Sequence, residues 1–226
     1  MKSVLHSILM FVAGLIIFIG LPMVGWGIFH ILEFFDSPAR MAYIAVTIFL
    51  QLFTVLYLPP AMRTKEKQEG GKGRPKIDLI LLQITSLAIV LVAPYSDRHF
   101  LGAFDIGDTI RCLGLVPLAF GLVLMQMAEK YLGRQFSIEI TLKENHRLIT
   151  SGPYRLIRHP RYLGIITFFL GMSLVFRSYL AAILVVALSV ILLWRIHAEE
   201  SMLQREFGET WDEYCAKSWR LIPFLF

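Results

Sequence analysis

Cysteine is almost missing from this chain, with two in 226 residues, Cys112 and Cys215, far apart and in no pattern. They offer no zinc spacing and no disulfide framework, so both read as small packing residues. A phosphate-cradling glycine motif is missing too. Gly70, Gly71 and Gly73 stand among lysines between Arg63 and Lys76. They fit neither G-x-G-x-x-G nor G-x-x-x-x-G-K-[ST], and no strand pattern precedes them. That segment reads as a flexible basic linker. Charge is scarce inside the apolar stretches of the first 129 residues, where Gln51, Gln83 and Gln126 are the polar exceptions. Interhelical hydrogen bonding accounts for these. A pump or transporter is expected to bury ionisable residues along its path, and their scarcity argues against transport.

What is present is apolar sequence: 56% of the residues, with a mean hydropathy of +0.63. A soluble domain sits near 45–50%. The excess collects in six runs: Val4–Leu32, Met41–Met62, Ile77–Pro94, Ile110–Ala128, Tyr162–Phe176 and Tyr179–Trp194. A helix crossing a ~30 Å hydrocarbon layer needs about 20 residues. The expected fold is therefore all-α, a polytopic membrane helix bundle of about six hydrophobic segments. The last two are short, with only Arg177-Ser178 between them, and predict a tight helical hairpin. Lys2 before an apolar stretch resembles a signal peptide, but the stretch outruns an h-region and no A-x-A-like site follows. It reads as a retained first span. Kinks are expected at Pro22 and Pro117, where neighbouring helices can satisfy the freed carbonyls.

Lys and Arg residues set the expected orientation. With the N-terminus in the cytoplasm and six alternating segments, all of the 22 basic residues fall on the cytoplasmic side except Arg40, Arg98, Arg111 and Arg177. Both termini are then cytoplasmic. The net charge of +5 is explained by topology and anionic lipid, without a nucleic-acid face. The linker divides the chain into an N-terminal helix pair (residues 1–62), the linker itself (63–76) and a larger unit (77–226).

Polar density concentrates in Lys130–Tyr162 and Arg195–Phe226. In the first, Pro160 suits the first turn of the fifth segment, where its missing N–H costs nothing. His159 then sits at the cap, and amides of the next turn could face a carboxylate or phosphate. Gly164 would let a flat ligand or another backbone come close. Arg158 and Arg161 flank this point. A membrane-interface loop, with Tyr154 and Tyr162 in an aromatic belt, is the competing account. In the second stretch Arg195 and Glu199 are four apart, on one helical face. The tight hairpin returns them, with Glu200, to the depth of Pro160. No metal-ligand pattern accompanies them.

These residues carry a resemblance. Arg158-His159-Pro160-x-Tyr162-x-Gly164, followed by Glu199-Glu200, resembles the signature of the isoprenylcysteine carboxyl methyltransferases and phospholipid N-methyltransferases. Leu132 to Ser137, Gly152 to Arg155, Leu203 to Tyr214 and Arg220 to Pro223 resemble the flanking stretches of that family, so the likeness covers about residues 130–226. It implies an S-adenosylmethionine pocket at the cytoplasmic boundary and a lipophilic methyl acceptor entering from the bilayer, in a bacterial inner membrane or the endoplasmic reticulum. The expected cofactor-binding residues are Tyr154, Arg158, His159, Pro160, Tyr162, Leu163, Gly164, Glu199 and Glu200. Within that pocket, His159 and Arg158 suit the methionine carboxylate, and the two glutamates suit the ammonium and ribose hydroxyls. Arg195 and Glu199 are the expected catalytic residues, with Arg195 orienting an anionic acceptor. A prenylated cysteine carboxylate, a phospholipid amine and a lipophilic thiol all remain open as acceptors. A sterol-reductase-like NADPH enzyme and a non-enzymatic membrane assembly or transport protein are the alternatives.

Overall fold

The computed structural model describes residues 2–57, 77–103, 107–133 and 148–225. The linker at 63–76 lies outside these, as does most of the lead-in at 132–137. The described residues are mostly helical, with no strand among them, and four helices are long and apolar enough to cross a membrane. They are α4 (Pro38–Tyr57), α5 (Ile77–His99), α9 (Tyr179–Phe207) and the continuous pair α6 (Asp108–Leu113) and α7 (Leu115–Leu132). The N-terminal run supplies a fifth apolar segment, and α8 (Pro160–Val175), 16 residues long, the sixth. This is an integral, multi-pass membrane protein.

Two expected spans differ from the sequence reading. The run Val4–Leu32 is broken. It comprises α1 (Lys2–Leu15), a π-helical turn at Ile16–Gly20 and α2 (Leu21–Trp26), and then bends by 86° into Ile28–Phe34, which ends in α3 (Ile31–Phe34). The sharp bend falls at Gly27, not Pro22. Gly27 has a φ of 115°, open to glycine but not to residues with a Cβ. Arg98 Nη1 fills the space a side chain would need and donates to the Trp26 carbonyl at 2.7 Å. Near Pro22, which has no amide to donate, the Tyr43 hydroxyl of α4 donates to the Phe18 carbonyl at 2.6 Å. The second difference is the hairpin. Its turn is tight, but α9 is 29 residues long, about 43 Å at 1.5 Å per residue. The apolar run stops at Trp194 because charged residues begin there, while the helix continues.

The tightest packing joins α7 to α8, which run antiparallel with glycines facing: Gly121 opposite Gly164, and Gly114 opposite Gly171. A Cβ on Gly164 would lie 2.7 Å from Met125 Cγ and 2.8 Å from the Gly121 carbonyl. The site motif's glycine therefore admits another backbone, the second of the two expectations for it. One core runs through the bundle and joins Trp26, Tyr43 and Leu50 of the N-terminal segments to Phe168, Phe176 and Leu188.

The four arginines left over by the orientation argument gather at one end of this bundle. Asp97, fully buried near the end of α5, accepts from Arg40 at 3.1 Å, from Arg111 at 2.7 Å and from Arg177 at 2.5 Å. Arg98 sits beside them on the Trp26 carbonyl. One carboxylate cannot balance three guanidinium groups; Asp108, 3.7 Å from Arg111 Nη1, and helix-end carbonyls make up the difference. Arg40 donates to Phe34 and Glu33, and Arg111 to Val175. These are C-termini of α3 and α8, where the helix dipole favours cations.

Candidate active site

The opposite end of the bundle holds the residues the sequence singled out. Gly152–Arg155 forms a 3-10 turn that leads through Ile157 into α8. Ile157 pairs in parallel with Trp219 of the C-terminal tail. The Arg158 amide donates to the Trp219 carbonyl at 2.7 Å, and the His159 amide to that of Arg220 at 3.2 Å. The tail, entered through α10 (Glu209–Cys215), is thus laid along the motif by an isolated β-bridge. Tyr154 and Tyr214, both buried, lock this junction: the Tyr214 hydroxyl donates to the Tyr154 carbonyl at 2.7 Å. Burial raises both phenol pKa values, that of Tyr214 to about 12, so both stay neutral and able to donate.

Pro160 does open α8, with His159 at its cap. The amides of the first turn are partly taken up within the helix. Those of Tyr162 and Leu163 donate to the His159 carbonyl at 3.1 and 3.2 Å, and Pro160 has none. The imidazole does not cap the helix. It is buried, stacks on the Tyr162 ring (centroids 5.6 Å apart, planes 9° apart) and approaches both glutamates of α9. Nε2 is 3.2 Å from Glu200 Oε1, and Nδ1 is 3.9 Å from Glu199 Oε2. Leu163 is partly buried against the core.

The two adjacent glutamates share His159 and otherwise have different partners. Glu200 is fully engaged: Oε1 with Arg158 Nε at 3.1 Å and with His159, and Oε2 with Arg220 Nη2 at 2.7 Å. Arg158 also donates to the carbonyls of Ser218 and Cys215. Arg158 and Glu200 together clamp the tail. Glu199 accepts from the Tyr162 hydroxyl at 2.9 Å and keeps 32% of its side chain exposed, against 12% for Glu200. One turn nearer the apolar centre, Arg195 is 4% exposed and donates through Nη1 to Asp78 in the first turn of α5. Arg161 pairs with Glu129 of α7 at 3.1 Å.

Sequence reasoning therefore brought His159, Tyr162, Arg195, Glu199 and Glu200 together correctly, and missed Asp78, Ser218 and the anchoring role of Arg220. Asp78 has one visible signal, an acidic residue opening a long apolar helix, which macrodipole complementarity already explains. Among the described residues no group of three or more His, Cys, Asp or Glu side chains could hold a metal ion.

A helical membrane bundle with a tail-closed charged site at one end is the class that fold and geometry define. A model of the isoprenylcysteine carboxyl methyltransferase (ICMT) family matches residues 112–205. A probable protein-S-isoprenylcysteine O-methyltransferase of Oryza sativa subsp. indica is 33% identical over 123 residues, covering 51% of this chain and 62% of that protein. The nickel-cobalt-cadmium resistance protein NccN of Alcaligenes xylosoxydans xylosoxydans is 31% identical over 170 residues, 74% of each chain. The solved structure of a eukaryotic intramembrane Ras methyltransferase, ICMT, superposes with a TM-score of 0.50 at 20% identity, covering 99% of this chain and 95% of that one. Residues 112–205 of the chain belong to the ICMT family. The chain spans about three fifths of the length of the plant relative.

Proposed function

We propose that the protein is an S-adenosylmethionine-dependent methyltransferase that acts on a lipophilic acceptor bearing a carboxylate, of the S-isoprenylcysteine kind. The observation that carries this reading is the arrangement around Glu199. A partly open carboxylate stands beside two stacked, buried rings, with a guanidinium one turn deeper toward the apolar core. These residues fit the proposed donor chemically. It carries a cationic sulfonium and an ammonium, which a carboxylate and aromatic faces favour. Glu199, His159, Tyr162 and Tyr154 would hold it, with Pro160, Leu163 and Gly164 shaping the wall behind them. Arg158 and Glu200 act on it indirectly, by fixing the tail that closes the site.

When bound, the donor would supply an electrophilic methyl group to the acceptor carboxylate, with a neutral thioether as the leaving group. No proton need move. The chain therefore has to align, shield and exclude water rather than supply a strong base. Arg195 orients the acceptor carboxylate and Glu199 the donor. The apolar remainder of the acceptor stays in the bilayer, the side on which Arg195 lies. Segregation of basic residues supports a cytoplasmic placing of this end and of both termini. In the same reading residues 1–62 and 77–226 are the two structural divisions, and the site is built chiefly by residues 130–226.

Calorimetry on the purified, detergent-solubilised chain tests the proposal. S-adenosylmethionine should bind with micromolar affinity or better, about −8 kcal/mol, and NADPH should not. Binding of NADPH alone would favour the sterol-reductase-like alternative. The match to NccN over 74% of both chains favours a second reading, a role in metal resistance. Nickel or cobalt binding without S-adenosylmethionine binding would establish that one instead.

A further inference from the structure

Asp78 lies outside the stretch that the family model matches, and 117 residues before the arginine it holds. We propose that Asp78 is a positioning residue of this site, fixing the Arg195 guanidinium so that its remaining donors face the carboxylate of the methyl acceptor. The inference rests on the methyltransferase reading above and deepens it.

Three features converge on it. Arg195 is nearly sealed from solvent on α9, one turn from Glu199, where an unpaired charge would be expensive. Asp78 reaches it from another helix, so the guanidinium is fixed by the packing of α5 against α9 and not only by its own backbone. A guanidinium is planar with five donors in a fork, so anchoring Nη1 on Asp78 restricts where the other donors point. Tyr162, which donates to Glu199, also interacts with Arg195. Asp78, Arg195, Tyr162 and Glu199 thus form one connected set across three helices. In it the donor-side carboxylate and the acceptor-side guanidinium hold a fixed separation. Misplacement of a reacting group by about 1 Å can cost a hundredfold in rate, so the anchor of Arg195 bears on turnover.

A strut that only stabilised the bundle would change melting temperature and nothing else. The test uses purified full-length protein, S-adenosylmethionine, and S-farnesylcysteine as the acceptor probe. Asp78→Asn keeps the shape and removes the charge. The kcat/KM for the acceptor should fall about tenfold to a hundredfold, chiefly through a raised KM. Calorimetric affinity for S-adenosylmethionine should stay within about threefold of wild type. Asp78→Glu should recover most of the lost kcat/KM. In thermal unfolding without ligands, Asp78→Asn and Arg195→Gln should be non-additive. Unchanged acceptor KM and kcat in Asp78→Asn would overturn the inference, as would an equal fall in cofactor affinity and turnover, or additive melting shifts. A wild-type protein that neither binds S-adenosylmethionine nor methylates the probe would overturn the methyltransferase reading and the inference with it. Non-additive melting would then identify the pair as a strut.

Discussion

Asp78 and Asp97 stand nineteen residues apart on α5, about 28 Å at 1.5 Å per residue, and each binds arginine carried by other segments of the chain. That separation matches the ~30 Å hydrocarbon layer. One helix thus carries a carboxylate anchor at each end of the bundle. Asp78 serves the candidate active site, and Asp97 gathers the arginines of the opposite end.

The Asp97 cluster is structural, and its removal should be costly. Asp97→Ala leaves three closely placed guanidinium groups without their shared carboxylate. Breaking a buried pair by deleting one partner costs about 3–5 kcal/mol. At roughly 2–4 °C per kcal/mol for a chain of this size, the melting temperature in detergent should drop by at least about 6 °C. A drop under about 2 °C would mean that the cluster contributes nothing.

Gly164 separates packing from ligand contact. Its Cβ position is occupied by Met125 and the Gly121 carbonyl. Gly164→Ala should force α7 and α8 apart at a cost of about 1–3 kcal/mol, and Gly121→Ala should do the same. Loss of S-adenosylmethionine affinity in Gly164→Ala with no change in melting would place a ligand, not α7, against this glycine.

Much of this fold was legible because the bilayer sets segment length and the run of apolar residues reports it. The bend at Gly27 was not, because apolar sequence continues across it and hydropathy is blind to backbone direction. The length of α9 was hidden for the opposite reason: charge ends the apolar run at Arg195 while the helix goes on. In the site, the motif residues His159, Tyr162, Glu199 and Glu200 came together as expected. Their pairing was harder to foresee. Neighbouring helical residues point about 100° apart, so Glu199 and Glu200 face different partners, although the sequence presents them as a pair. Asp78 was out of reach, since its contact with Arg195 depends on how α5 packs against α9.

The buried tyrosine pair makes the tail junction sensitive to alkali. The folded-state pKa of Tyr214 is raised to about 12 by burial, against ~10 in the unfolded chain. Its contribution to stability is complete below pH 10 and is lost as pH rises from 10 toward 12, because the unfolded state releases its proton first. Tyr214→Phe removes the bond to Tyr154 and should cost about 1 kcal/mol at neutral pH. Its stability should also fall less steeply than wild type between pH 10 and 12, as followed by circular dichroism. Parallel curves for the two proteins would remove Tyr214 from the alkaline transition.

Sidedness can be read directly. In a chain with Cys112 and Cys215 replaced by serine, single cysteines at His99 and Lys217 report opposite ends of the bundle, since both positions are exposed. An impermeant maleimide added outside intact cells should label His99→Cys and leave Lys217→Cys unlabelled until the membrane is opened. Labelling of Lys217→Cys from outside would reverse the orientation given by the basic residues.

The two glutamates should separate in function as they do in contacts. Glu200 joins Arg158, His159 and Arg220, so Glu200→Gln weakens charge-assisted bonds that hold the tail against the motif. The tail should become a target for limited trypsin cleavage at Lys217. S-adenosylmethionine affinity should fall only as far as the tail is released, and covalent fixation of the tail should restore it. Glu199 accepts from Tyr162 from its partly exposed position. Glu199→Gln should leave trypsin sensitivity at the wild-type level and weaken S-adenosylmethionine binding by about 1–3 kcal/mol, the loss of a charged hydrogen-bond partner. Measuring cleavage rate and calorimetric affinity on both variants gives four numbers with a crossed pattern. If both variants loosen the tail and weaken binding in the same proportion, the glutamates act as one unit, and the assignment of Glu199 to the ligand and Glu200 to the tail is wrong.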